Sequence, residues 1–136
     1  MPRILGLDVG DARIGVSISD ELGIAAHGLC TIQRKSLKKD ISAVEKLVNE
    51  YNVEKIIIGL PKMLSGEIGI QAKKVQKFIS VLQKLNIPII TWDERLTTAE
   101  AHRILSATDA SRKKRKKVID QLAASLILDS YLIYKR

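Results

Sequence analysis

Apolar positions along the chain change rhythm several times, and each change marks a predicted element. Residues 3–9 (RILGLDV) form an apolar run suited to a buried strand, GDAR reads as a turn, and residues 14–20 (IGVSISD) alternate with the period of a partner strand. Together they predict a β-hairpin. Residues 24–33 supply a third strand, after which Leu37, Ile41, Val44, Leu47, Val48 and Tyr51 recur at the three-and-four spacing of an amphipathic helix. The run 55–60 (KIIIGL) is apolar after its first residue and stops at Pro61, as a strand covered on both faces would. Residues 69–85 repeat the helical spacing at Ala72, Val75, Phe78, Ile79, Leu82 and Leu85, and residues 88–92 (PIITW) form another short strand. A strand, a helix and a strand in succession imply parallel pairing. Thr97 and Glu100 have capping-box spacing and open a helix to about Leu105. A final helix runs from the basic stretch to the end, so the predicted order is βββαβαβαα, an α/β fold.

A length of 136 residues suits one domain with one core, and the low aromatic fraction, 4%, suits helices on a sheet better than an all-β module. Neither a repeat nor a composition break divides the chain. No apolar run reaches the roughly 20 residues that span a bilayer, and the N-terminus lacks a signal-peptide layout, so a cytoplasmic protein is expected. Cys30 alone permits neither an internal disulfide nor a cysteine-rich zinc cluster. Charge adds the first functional pointer. The net charge is +8, of which six come from the consecutive residues Arg112, Lys113, Lys114, Arg115, Lys116 and Lys117, leaving 8 − 6 = 2 elsewhere. Such clustering predicts a polyanionic partner bound through phosphate neutralisation and counterion release, with a solvated helix entry as the bland alternative.

Three places carry candidate chemistry. Asp8 lies in an otherwise apolar strand, where an ionised carboxylate needs a cation or hydrogen bonds; a metal ion is one solution and backbone N–H groups of the Gly10 turn are another. Asp93 and Glu94 follow PIITW at the carboxyl end of a parallel strand, the rim where open α/β sheets place their sites. In the last helix the expected inward face carries Ile119, Leu122, Ala123, Leu126, Ser130 and Ile133, with Asp120 at one edge and Asp129 at the other, so periodicity does not choose between these two acids. Three carboxylates on one rim would offer hard oxygen ligands to Mg²⁺ or Mn²⁺. Beside a basic arm, that suggests two-metal phosphodiester chemistry, which needs no protein nucleophile. His27 and His102 lack partners at metal-ligand spacing, and Trp92, Tyr131 and Tyr134 are expected in the core or an interface.

The segments GLDVGDARIGVSISD, IIIGLPKMLSGEIGIQA, WDERLTT and SRKKRKKVIDQLAA, in this order over nearly the whole chain, resemble the YqgF family of pre-16S rRNA nucleases or Holliday junction resolvases. The resemblance implies an RNase H-like fold, a central five-stranded mixed sheet flanked by helices. It also implies an acidic, metal-binding catalytic triad of Asp8, Glu94 and Asp120, choosing Glu94 over Asp93 and Asp120 over Asp129. Arg13 and Arg95 fall in motif positions and are expected to contact phosphate. Ala12 stands where the family usually has a long polar residue, and Ile70 replaces a usual Pro, which predicts an earlier start for the second helix. The implied function is processing of the 5′ end of pre-16S rRNA in ribosome biogenesis. The alternatives are a junction resolvase, requiring a symmetric homodimer rather than a monomer, and a non-catalytic RNA-binding module. RNA is the favoured partner, with structured DNA as the other.

Overall fold

The computed structural model describes residues 2–61, 69–93 and 112–135, with side chains in the last segment from Asp120 onward. Five strands, β1 (Arg3–Val9), β2 (Arg13–Ser19), β3 (Ala26–Gln33), β4 (Val53–Leu60) and β5 (Ile89–Asp93), form one sheet in the order β3-β2-β1-β4-β5. β1 pairs antiparallel with β2 and parallel with β4, and β4 pairs parallel with β5, so the sheet is mixed. Helices α1 (Leu37–Glu50), α2 (Ile70–Leu82) and α3 (Arg112–Lys135) flank it. The helix expected from Thr97 to Leu105 lies outside the described residues.

Pleating divides the sheet into two unlike faces. Leu5, Leu7 and Val9 of β1, with Ile14, Val16 and Ile18 of β2 and Ile56, Ile58 and Leu60 of β4, face α1 and α2 and form the larger core with Val44, Val75, Phe78 and Leu82. The alternate residues of β1 face α3, where Ile4 and Ile57 pack against Ile127, Leu128, Tyr131 and Leu132. Burial on both faces explains why β4 reads as a continuous apolar run rather than an alternating one.

Local signals set the helix ends. Ser36 caps α1, its hydroxyl accepting from the Lys39 N–H, and Asn52, at a φ of 52°, turns the chain into β4 in the left-handed region that Asn tolerates. α2 begins at Ile70 with Gly69 as its N-cap, so the helix starts where a proline would stand and not earlier, a correction to the expectation drawn from Ile70. A proline is suited to the first helical position, and an isoleucine there changes only the exposed surface.

The inward face of α3 also differs from expectation. Ala123, Ala124, Ile127, Leu128, Tyr131 and Leu132 are buried, whereas Ile133 is 65% exposed. The face is rotated toward the alanines because the strand floor beneath is small and polar. A Cβ on Gly6 would come within 2.9 Å of the Leu128 Cβ, and Ser17 Oγ donates to the Ala124 carbonyl. Leucines at Leu122 and Leu126 would hold the helix off this floor, so the smaller residues take the contact. At the far end of α3, Trp92 Nε1 donates to Ser130 Oγ and its ring meets Tyr131 edge-on at 5.7 Å. Lys55 donates to the Tyr131 hydroxyl, and that hydrogen bond holds its ammonium above the usual lysine range despite partial desolvation. Tyr131 and Trp92 therefore belong to the core as expected, while Tyr134 meets the Trp92 ring at a tilt of 60° but remains 76% exposed.

Candidate metal centre and nucleic-acid interface

Asp8 is the penultimate residue of β1, half-buried at the carboxyl end of the central strand. Its pleat direction is that of Ile4 and Gly6, toward α3. Directly across the β1–β2 ladder stands Gly15, and a side chain on Gly15 would overlap the backbone carbonyl of Asp120. One missing Cβ thus lets α3 settle onto β2 at the residue that pairs with Asp8. Asp8 and Asp120, 112 positions apart in sequence, come to one rim on one face of the sheet.

Asp120 is mostly buried, with 19% of its side chain exposed, and its carboxylate accepts from Arg13 Nε at 2.6 Å. Arg13 opens β2 and lies on the same face as Gly15. Its guanidinium is a cation already seated on an expected metal ligand, which shows that this carboxylate is presented to a positive charge. Oxygen donors from Asp8 and Asp120 suit Mg²⁺ or Mn²⁺. Among the described residues no group of three metal-capable side chains forms, and the third expected ligand, Glu94, lies outside them together with Arg95. Glu94 directly follows Asp93 at the carboxyl end of β5, and Asp93 itself is exposed and paired in register with Leu60.

Asp129 has a different task. Its Oδ1 accepts from the Ala26 N–H at 2.7 Å and ties α3 to the start of β3, away from the Asp8 rim. Asp129→Ala is therefore expected to cost about 1 kcal/mol of stability through the lost hydrogen bond, a loss that thermal unfolding measures.

Residues 112–117 occupy the first turns of α3, ahead of Asp120. Because Ala124 and Leu128 follow the helix back over Gly6, the basic segment projects from the carboxylate rim rather than from the opposite end. Its reach beyond Asp120 is about 12 Å at the α-helical rise of 1.5 Å per residue. Sequence reasoning missed the Arg13–Asp120 pair; an arginine at a strand entry gives no cue to a partner on a distant helix. His27 is exposed, and His102 lies outside the described residues. Among the described residues no helix is long and apolar enough to cross a membrane.

The family described as "RuvX: Holliday junction resolvase" matches residues 2–134. A protein of Thermoanaerobacter pseudethanolicus named "Putative pre-16S rRNA nuclease" is 56% identical over 132 residues, which cover 96% of this chain and 95% of that protein. One of the same name from Caldanaerobacter subterraneus is 55% identical over 132 residues, with the same coverage of both. Among solved structures, T. thermophilus RuvC in complex with Holliday junction substrate aligns at a TM-score of 0.61 and 13% identity, over 99% of this chain and 96% of that one. The fowlpox virus Holliday junction resolvase aligns at 0.59 and 15%, over 98% and 99%. At these identities the structural likeness speaks for the fold, which is the RNase H-like one.

Proposed function

Since the chain belongs to the family described as RuvX, Holliday junction resolvase, we propose that it is a metal-dependent nuclease that acts on pre-16S ribosomal RNA. The observation that carries this reading is the docking of the Asp120 backbone over the bare Cα of Gly15, the residue that pairs with Asp8. Glu94, next in sequence after β5, completes the proposed triad. When bound between these carboxylates, Mg²⁺ or Mn²⁺ would activate a water and stabilise charge on the scissile phosphate.

The chain's own residues supply the rest. β1 and α3 bring the two acids to one rim, and Arg13 supplies a positive charge at Asp120. Arg13 uses Nε on Asp120, and its terminal nitrogens, which bond none of the described residues, would take a phosphate oxygen at the same rim. The basic turns of α3 hold the flanking phosphates, and Arg95 contributes from the segment after β5. The whole chain acts as one nuclease domain in the cytoplasm.

A second reading, cleavage of four-way DNA junctions, is favoured by the family's description. It requires two copies of the site in a symmetric homodimer, whereas a single-strand cut is open to a monomer. Cleavage of labelled pre-16S RNA, single-stranded RNA and a four-way DNA junction, each with Mg²⁺, Mn²⁺ or EDTA, decides between them. Metal-dependent cutting of the precursor RNA is expected. Symmetric cutting of the junction alone would establish the second reading, and binding of RNA without cutting under any condition would leave a binding module.

A further inference from the structure

On the face of the sheet away from α3, five cations line two adjoining depressions between α1 and α2. Arg34, Lys74 and Lys77 surround one of 220 Å³ against Phe78, and Lys38 and Lys84 flank the other, of 450 Å³; Leu37 is shared by both. Asp40 pairs with Arg34 and Asp11 with Lys74, whereas Lys38, Lys77 and Lys84 have no ion-pair partner among the described residues. The lining thus keeps 5 − 2 = 3 uncompensated positive charges. Residues 70–85 contain Lys73, Lys74, Lys77 and Lys84 and no acid at all.

Arg34 is fixed in place. Its Nε donates to the buried Asp40 carboxylate and its Nη1 to the Gly10 carbonyl, and its guanidinium lies 5.4 Å from the Phe78 ring centre. Asp40 is held in turn by the Lys35 N–H. A guanidinium anchored on one side keeps its remaining donors aimed without further loss of rotamer freedom, which suits phosphate recognition. The groove also begins at the proposed site: Gly10 and Asp11, the residues that Arg34 and Lys74 grip, form the turn that follows Asp8 on β1.

We propose that the α1–α2 groove is a second track for the nucleic-acid backbone, gripping the phosphates of the strand that passes over the β1–β2 turn from the carboxylate rim. The identity of the ligand rests on the nuclease reading above. The substrate is then held on both faces of the sheet, by the basic turns of α3 on one and by Arg34, Lys38, Lys74, Lys77 and Lys84 on the other. A short strand confined to the rim forgoes the second set of contacts.

The test measures equilibrium binding of a labelled single-stranded RNA by the full chain in EDTA, over a salt series. Lys77→Glu, Lys84→Glu and the double variant are compared with Lys46→Glu, an exposed change of the same charge on α1 outside the groove. All three positions are at the surface, and Lys77→Gln and Lys84→Gln serve as milder versions should a reversal disturb folding. Each groove reversal is expected to weaken binding about tenfold more than Lys46→Glu, with the slope of log K against log salt shallower by about 0.7 per lost phosphate contact. Inorganic phosphate at matched phosphate concentration should not displace the RNA. Groove variants that match Lys46→Glu in affinity and slope would overturn the inference, and so would full displacement by free phosphate, which would make the groove a single-anion site. Because no metal is present, groove-dependent binding by a chain that never cuts would uphold the track and remove the nuclease, and cutting by a chain whose groove variants bind normally would do the reverse.

Discussion

Asp8→Asn is expected to lower the rate of metal-dependent cleavage by about a thousandfold or more, while RNA binding in EDTA holds or tightens. The amide keeps the size and one oxygen of the carboxylate, so β1 and its ladder with β2 persist. What disappears is the negative charge at the rim. Metal-ion stabilisation of a developing phosphorane-like charge is worth several kcal/mol, and about 4 kcal/mol corresponds to a factor of about a thousand in rate. Affinity should not fall, because removing an acid beside a phosphate relieves repulsion. Single-turnover cleavage and filter binding on one preparation measure the two quantities. A variant that cuts within tenfold of the wild type would show that Asp8 serves the Gly10 turn rather than the reaction.

Gly15→Ala should have the largest effect on stability of any small substitution in the described residues. The new methyl meets the main chain of α3 at Asp120 rather than the end of a flexible side chain, so the helix itself must move. Overpacking of this kind costs typically 1–3 kcal/mol, and the rigid obstacle places the expected loss at the upper end, about 3 kcal/mol. Displacing α3 also carries Asp120 away from Asp8, so cleavage by the folded fraction should fall as well. Gly23→Ala is the contrasting case. Gly23 has a φ of 70° and open space around it, so alanine there incurs only the left-handed backbone cost of about 1–2 kcal/mol and leaves the rim intact. Denaturant unfolding of both variants, with activity corrected for folded fraction, separates the two effects. Equal losses would mean that close approach of α3 is not what Gly15 provides.

The same glycine explains what was legible in the sequence and what was not. Strand and helix periods located β1 to β5, α1 and α2 to within a few residues, because each buries a regular apolar face. The inward face of α3 was misplaced because hydropathy favours Leu122 and Leu126, while the floor of Gly6, Gly15 and Ser17 selects Ala123 and Ala124 by size. That rotation sets Asp120 over Gly15 and gives Asp129 to the Ala26 N–H. Periodicity left the two acids equivalent, the family resemblance favoured Asp120, and the strands beneath give each its own partner, Arg13 for Asp120 and the Ala26 N–H for Asp129. The basic run was visible because its residues are consecutive. The α1–α2 cations were not, since Arg34, Lys38, Lys74, Lys77 and Lys84 converge only when two helices pack side by side.

A Mn²⁺ titration followed by electron paramagnetic resonance, in the absence of nucleic acid, tests most directly whether Asp8 and Asp120 share a metal site. The wild type should quench the free-Mn²⁺ signal, Asp8→Asn and Asp120→Asn should each lose most of that binding, and Asp129→Ala should retain it. Binding that survives undiminished in both rim variants would contradict the account and place the metal elsewhere.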